Sequence, residues 1–156
     1  MLTYRTGDLL ASPHTIIGHG CNAQGSMGAG IAAAIKQAYP GAFAVYADAY
    51  REGRLKVGEV IPWDGNDRVI FNCITQERYG KDPNVVYVDY DGVAACMRWI
   101  DQTARRQKNE ARGPFATERT IAFPRIGAGL AHGDWERIAS IIEAEITAID
   151  VVIYSL

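Results

Sequence analysis

Apolar and polar positions along the chain form short β-branched runs that alternate with longer stretches of helical spacing. The run from Arg68 to Thr75 is almost continuously apolar, which predicts a strand covered on both faces. From Asp91 onward, apolar side chains recur at every third or fourth position, as on one face of a long helix. Strands that alternate with helices in this way are typical of an α/β fold. The predicted strands are 2–5, 15–20, 57–63, 68–75, 120–124 and 151–156, and the predicted helices are 31–39, 42–51, 91–112 and 135–148.

A glycine-rich loop connects the second predicted strand to the first predicted helix. The stretch runs from His19 to Ala34, contains Gly25, Gly28 and Gly30, and enters a helix near Ile31. Glycines let the backbone approach a ligand closely, and the unpaired N–H groups of the first helical turn then point at an anion. The spacing matches neither the dinucleotide fingerprint nor the P-loop. Glycine content alone therefore leaves phosphate binding and a plain tight turn both open.

A second glycine-rich loop, 125–133, follows the predicted strand 120–124 and leads into the last predicted helix. Asp134 directly precedes that helix and is well placed to cap it. Both loops lead from a strand into a helix, and ligands of open α/β sheets bind where strands end. Two such loops on one sheet edge can hold a pyrophosphate from both sides.

Several side chains near these loops have both a structural and a functional interpretation. Asp8 follows a glycine at a strand end, where it either caps its own backbone or accepts a hydrogen bond from a ligand's exocyclic amine. Cys21 is either a small buried residue or a nucleophile, and burial is favoured. Phe43, Tyr46 and Tyr50 recur at helical spacing, which favours core-facing anchors over rings that stack on a ligand.

Composition narrows the class of protein. The 156 residues fit one domain, and the net charge of -2 predicts neither a nucleic-acid groove nor a membrane-binding surface. Met1 is not followed by a basic and then apolar leader, and no segment is apolar enough to span a membrane, so we expect a cytoplasmic protein. The three cysteines lack metal-ligand spacing, which predicts free thiols and no metal site.

Taken together, these motifs resemble the macrodomain family, the ADP-ribose-binding α/β/α module. The matching residues are Gly7–Leu9, the segment His19–Asn22, the loop 25–32, the segment 124–130 and the terminal 152–156. The resemblance implies a single macrodomain over residues 1–156, with three α/β/α layers and a central mixed sheet. Within the family, the chain is most similar to the subclass of ADP-ribose 1''-phosphate phosphatases and terminal ADP-ribose glycohydrolases, the phosphatases being nearer.

The resemblance implies a binding role for each matching residue. Asp8 would accept a hydrogen bond from the adenine amine, with the Leu9 backbone beside it, and Asn22 would hydrogen-bond the distal ribose. The two loops would hold the phosphates, and the last residues would line the adenine and proximal ribose. These implied loop and terminal residues are Gly28, Ala29, Gly30 and Ile31, then Ile126, Gly127, Ala128, Gly129 and Leu130, and finally Tyr154 and Leu156.

The resemblance also implies hydrolysis at C1'' of the distal ribose, with a phosphate as the first choice of leaving substituent. Beside Asn22, His19 would act as a general acid/base or as a nucleophile, and its other interpretation is a histidine hydrogen-bonded into the core. His132 and Asp134 are further catalytic candidates, although Asp134 is also explained as a helix cap. The paired loops would supply preorganised N–H groups for charge that develops on phosphate oxygens.

The chain departs from the glycohydrolases of this subclass at two positions. Those enzymes use a lysine after the central strand and an aspartate after the second loop, where this chain has Gln76 and Ala131. Neither residue can form a covalent lysine adduct or act as that carboxylate. Three alternatives follow: hydrolysis of a 1''-phosphate, removal of ADP-ribose from protein or nucleic acid, and a reader without turnover. The implied partners are ADP-ribose or a derivative and ADP-ribosylated macromolecules, with no cofactor and no metal.

Overall fold

A six-stranded sheet lies between two layers of helices in the computed structural model, which describes residues 2–156. The strands are β1 (Leu2–Thr6), β2 (Ile16–Asn22), β3 (Val60–Asp64), β4 (Val69–Gln76), β5 (Thr120–Pro124) and β6 (Asp150–Ser155), and the helices are α1 (Gly30–Ala38), α2 (Pro40–Arg51), α3 (Tyr90–Glu110) and α4 (Trp135–Glu145). The strand order is β1-β6-β5-β2-β4-β3, and only β3 pairs in the antiparallel sense among these strands. The three-layer α/β/α fold with a mixed sheet is confirmed.

The strand β4 contributes to the hydrophobic clusters on both faces of the sheet, because its side chains alternate between the faces. Phe71 and Cys73 pack in the core beneath α3 and α4, whereas Ile70 and Ile74 pack on the face covered by α1 and α2. Every residue from Val69 to Thr75 is buried. The prediction that this run is covered on both faces is confirmed.

The long helix α3 buries the apolar face that the sequence pattern predicts. Its side chains Val93, Cys96, Met97 and Ile100 are fully buried, and Asp89 caps the helix by accepting a hydrogen bond from the Gly92 N–H at 2.9 Å. A cap and a continuous apolar stripe are both local sequence signals, which is why the pattern located this helix correctly.

Two predicted boundaries differ from the structure by three residues. Residues 57–59 form a turn in which Gly58 adopts a φ of +96°, so β3 begins at Val60. The helix α4 ends at Glu145 rather than near residue 148. Asp101 of α3 accepts hydrogen bonds from the N–H groups of Thr147 and Ala148, which removes those groups from the helical pattern.

The junction of α1 and α2 also differs from the prediction. Pro40 ends the first helix, as predicted, and it is at the same time the first residue of α2, where its missing N–H costs nothing. Tyr46 is fully buried, as predicted, but Tyr50 is half exposed rather than core-facing. The Tyr50 ring covers Gly25, since a Cβ at Gly25 would lie 2.7 Å from Tyr50 Cγ.

The carboxyl ends of the five parallel strands meet at one edge of the sheet. The segments that follow them begin at Gly7, Ala23, Glu77, Arg125 and Leu156. No helix among residues 2–156 is long and apolar enough to cross a membrane.

Candidate functional site

The two glycine-rich loops face each other at this edge. We call residues 23–29 the first loop and residues 125–133 the second loop. A Cβ built on Gly30, the first residue of α1, would lie 3.6 Å from Leu130 Cδ1 of the second loop. Leu130 is 64% exposed, so its side chain is free to cover a ligand held between the loops. The structure therefore brings together two predicted site segments that are about a hundred residues apart in sequence.

The helix α1 begins at the first loop without a side-chain cap. Its N-cap residue is Ala29, and no side chain of residues 2–156 caps the N–H groups of the first turn. Gly30 has a φ of +59°, a left-handed conformation that glycine adopts at least cost. In contrast, α3 and α4 are capped by the carboxylates of Asp89 and Asp134. The first turn of α1 therefore presents N–H donors and a partial positive charge to an anion.

Asn22 closes the beginning of the first loop on itself. Its Oδ1 accepts hydrogen bonds from the N–H groups of Gln24 at 2.9 Å and Ser26 at 3.4 Å, and its Nδ2 donates to the Ser26 oxygen at 2.9 Å. An amide nitrogen carries two hydrogens, so one Nδ2 hydrogen has no partner among residues 2–156. The N–H groups of Gln24 and Ser26 are therefore already hydrogen-bonded to Asn22, whereas one Nδ2 hydrogen of Asn22 is available to a ligand.

The second loop is tied to the segment 85–88 by three hydrogen bonds. The N–H groups of Tyr87 and Val88 donate to the Ala131 oxygen at 2.8 and 3.3 Å, and His132 Nδ1 donates to the Val85 oxygen at 2.9 Å. Because Nδ1 carries the donated hydrogen, Nε2 is the ring nitrogen that has no hydrogen-bond partner among residues 2–156. His132 is exposed and has a φ of +58°, an uncommon conformation for a residue with a side chain.

His19 lies inside the protein rather than at the exposed edge. Asn72 Nδ2 donates to the oxygens of Ala42 and Ile61, so Asn72 Oδ1 faces His19 and accepts from its Nε2 at 2.6 Å. His19 is fully buried, and that burial lowers its pKa to about 4 although the Asn72 contact opposes the shift. The ring is neutral near pH 7, and its surroundings are those of a core histidine.

The predicted adenine end is formed by the carboxyl ends of β1 and β6. Asp8 Oδ1 accepts a hydrogen bond from the Leu10 N–H at 2.9 Å and thereby caps a short 3-10 turn. This is the structural interpretation of Asp8, and its second carboxylate oxygen is not used in that contact. Tyr154 is mostly buried, with its hydroxyl 3.0 Å from His14 Nε2, and Leu156 is almost fully exposed.

Three further residues near the loops have surroundings that explain them structurally. Asp134 Oδ1 accepts a hydrogen bond from the Glu136 N–H at 3.0 Å, which confirms its predicted role as a helix cap. Gln76 Nε2 donates to the Arg78 oxygen at 2.9 Å. Cys21 is buried, and burial raises the pKa of its thiol, which makes it a poor nucleophile.

A surface cavity of about 560 Å³ lies elsewhere, against α2 and β3, and no residue of either loop lines it. Its lining carries three carboxylates and two cations, and this excess of negative charge makes the two glycine-rich loops the better candidate for an anionic ligand. The lining residues are Val45, Asp48, Glu52, Gly53, Arg54, Lys56, Glu59, Val60, Ile61 and Pro62.

The sequence analysis missed the polar function of Tyr46. It assigned this residue to the core from helical spacing, yet the hydroxyl bonds to Asn22 at the start of the first loop. Burial also raises the pKa of Tyr46, so the hydroxyl keeps its proton. The available signal was the tyrosine itself, because a buried tyrosine hydroxyl usually has a hydrogen-bond partner.

Comparison with known proteins identifies the family. The Macro domain model matches residues 19–142. The DNA ADP-ribosyl glycohydrolase of Mycobacterium tuberculosis is 29% identical over 99% of this chain, which spans only 42% of that protein's length. An ADP-ribose 1''-phosphate phosphatase of Meyerozyma guilliermondii is 24% identical, covering 96% of this chain and 97% of that protein. A solved structure of a Bacteroides thetaiotaomicron protein of unknown function has a TM-score of 0.83 at 27% identity, covering 100% of this chain and 98% of that chain. The chain belongs to the Macro domain family.

Proposed function

We propose that this protein binds ADP-ribose derivatives at the edge between the two loops and hydrolyses the substituent at C1'' of the distal ribose. A phosphate is our first choice for that substituent. The observation that carries the proposal is the uncapped N-terminus of α1, which lies next to the exposed side chain of Leu130 in the second loop. Relatives named for ADP-ribose chemistry support the same ligand class.

In this proposal the pyrophosphate lies on the N–H groups of Gly30 and Ile31, with Leu130 closing over it. The N–H groups are already oriented in the free protein, so binding an anion requires little reorganisation. Adenine lies toward Asp8, whose second carboxylate oxygen accepts from the exocyclic amine. The distal ribose lies toward Asn22, whose free Nδ2 hydrogen donates to a ribose oxygen.

His132 is the acid–base group that we favour for the hydrolysis of a 1''-phosphate. Its ring is exposed, and the Val85 contact leaves Nε2 as a proton acceptor. In the proposed step, Nε2 takes a proton from water, the water oxygen bonds to phosphorus, and the bond from phosphorus to the C1'' oxygen breaks. That oxygen keeps the electron pair, takes a proton from solvent water and leaves as the hydroxyl of ADP-ribose, and Nε2 returns its proton to solvent.

The proposal is tested by calorimetric titration with ADP-ribose, followed by measurement of phosphate release from ADP-ribose 1''-phosphate in the same sample. We expect binding with a stoichiometry of one, and release that falls in a His132→Ala variant while ADP-ribose still binds. Binding without release contradicts the phosphatase activity and favours a reader. No binding contradicts the proposed ligand class.

A second candidate is the removal of ADP-ribose from a macromolecule. It is favoured by the similarity to the mycobacterial DNA ADP-ribosyl glycohydrolase, which extends over nearly all of this chain. The position expected to carry a lysine is Gln76, so such an activity would proceed without a lysine adduct. Release of ADP-ribose from an ADP-ribosylated oligonucleotide or an ester-linked peptide measures it directly, and no release at high enzyme concentration contradicts it.

A further inference from the structure

The hydroxyl of Tyr46 holds the backbone of Asn22, the residue that precedes the first loop. Tyr46 projects from α2 and is fully buried. Its hydroxyl donates to the main-chain oxygen of Asn22 at 2.6 Å and lies 2.9 Å from Asn22 Oδ1. The N–H groups of Gly25 and Ser26 face the phenolic oxygen. A phenylalanine would fill the same volume, so packing alone does not explain the hydroxyl.

These contacts fix the orientation of the Asn22 amide. Oδ1 is surrounded by the Gln24 and Ser26 N–H groups and the Tyr46 hydroxyl, and Nδ2 already donates to the Ser26 oxygen. A half-turn of the amide would place Nδ2 against the Gln24 and Ser26 N–H donors and Oδ1 against the Ser26 oxygen, so these hydrogen bonds would be lost. The remaining Nδ2 hydrogen therefore has a fixed direction, and Tyr46 is the one contact in this set that comes from outside the loop.

We propose that Tyr46 is a positioning residue that acts through Asn22 on the distal ribose of the ligand. The inference rests on the function proposed above and adds a residue that makes no contact with the ligand itself. Without the hydroxyl, Asn22 loses the contact that ties it to α2, and its free hydrogen is no longer held toward the ribose. The effect is confined to the ribose end, because the phosphate-binding N–H groups belong to α1.

The test compares two ligands in the Tyr46→Phe variant by calorimetry. ADP-ribose carries the distal ribose and ADP lacks it, so only ADP-ribose reports on Asn22. We expect the Kd for ADP-ribose to rise about tenfold, the effect of one well-placed hydrogen bond, and the Kd for ADP to stay within about twofold. In an Asn22→Ala background, the Tyr46→Phe change should add no further loss, because both act on one contact.

Tyr39→Phe is the matched control. The Tyr39 hydroxyl accepts a hydrogen bond from Arg68 Nη1 at 2.9 Å, so this variant loses a comparable contact away from Asn22. It should leave the ratio of the two Kd values unchanged. Equal weakening of ADP-ribose and ADP by Tyr46→Phe would reveal general loosening and overturn the inference. Wild-type protein that binds ADP-ribose no better than ADP also overturns it, whereas failure to bind either ligand overturns the proposed function as well.

Discussion

The two glycine-rich loops meet at one edge, yet they are held in different ways. Asn22 and Tyr46 fix the start of the first loop with side chains, and the helix that follows begins without a cap. Backbone hydrogen bonds to residues 85–88 fix the second loop, and Asp134 caps its helix. The difference implies a division of roles, in which the first turn of α1, at the end of the first loop, supplies N–H donors and the second loop supplies the covering side chain of Leu130.

Gly30→Glu is expected to have the largest effect, since it changes the first residue of α1, where the proposed N–H donors lie. The new side chain would be strained at a φ of +59° and would place a carboxylate at the proposed phosphate position. We expect the Kd for ADP-ribose to rise roughly 100-fold or more, from left-handed strain and like-charge repulsion together. The control is Gly53→Glu, where φ is +71° and nothing lies within 4 Å, so the strain is similar but no ligand is near. Equal affinity in the two variants would contradict the placement of the phosphates.

The next effect concerns His19, on the strand that leads into the first loop. Its pKa in the folded protein is about 4, below the ordinary value of about 6.5, so the unfolded chain binds protons more readily. Stability is therefore full above pH 6.5 and falls as the pH drops toward 4, by on the order of 3 kcal/mol. Urea denaturation from pH 7 to pH 4 measures this loss. The slope should diminish in His19→Gln, and an unchanged slope would assign the acid sensitivity to other groups.

Leu130→Ala tests whether the second loop covers the ligand, and it should have a smaller effect. Leu130 is 64% exposed, so its removal should leave the melting temperature almost unchanged. If the side chain packs on a bound ligand, its loss should raise the Kd for ADP-ribose about tenfold, since burying such a chain contributes about 1.5–3 kcal/mol. Val86→Ala, which truncates a 53% exposed side chain of the neighbouring segment, is the control. Unaltered affinity in Leu130→Ala would mean that the second loop does not cover the ligand.

The smallest expected effect is on stability, in variants of Asp134 that distinguish helix capping from catalysis. Asp134→Ala removes the hydrogen bond to the Glu136 N–H and should cost about 1 kcal/mol of stability, whereas asparagine is a comparable N-cap residue. Asp134→Asn should therefore retain the stability of the wild type while lacking the carboxylate. Turnover measured in both variants decides the role. A large loss of turnover in the stable Asp134→Asn variant would give the carboxylate a part in the chemistry.

Elements defined by local signals could be predicted from the sequence, whereas features set by distant contacts could not. The buried strand β4 and the Asp134 cap follow from patterns of a few residues. The choice between a core and a catalytic His19 depended on Asn72, which lies 53 residues away and becomes a neighbour through strand pairing. The end of α4 likewise depended on Asp101 in another helix.

In the candidate site, too, local signals could be predicted from the sequence and contacts between distant residues could not. The glycine spacing identified both loops. It did not show that the N–H groups of Gln24 and Ser26 in the first loop are already hydrogen-bonded to Asn22. Tyr46 was assigned to the core on periodicity, and its partner lies 24 residues away on another element. Periodicity reports which face of a helix is buried, and it carries no information on what a buried hydroxyl bonds to.

The bonds between the second loop and residues 85–88 have a consequence for hydrogen exchange. Because the Tyr87 and Val88 amides donate to Ala131, and the Gly133 amide donates to Gly127 within the loop, none of them can exchange while the loop is in place. Opening the second loop breaks these contacts together, so the protection of the three amides against deuterium exchange should correspond to one common opening free energy. A ligand that holds the loop closed should raise this free energy for all three amides, including two that lie outside the loop.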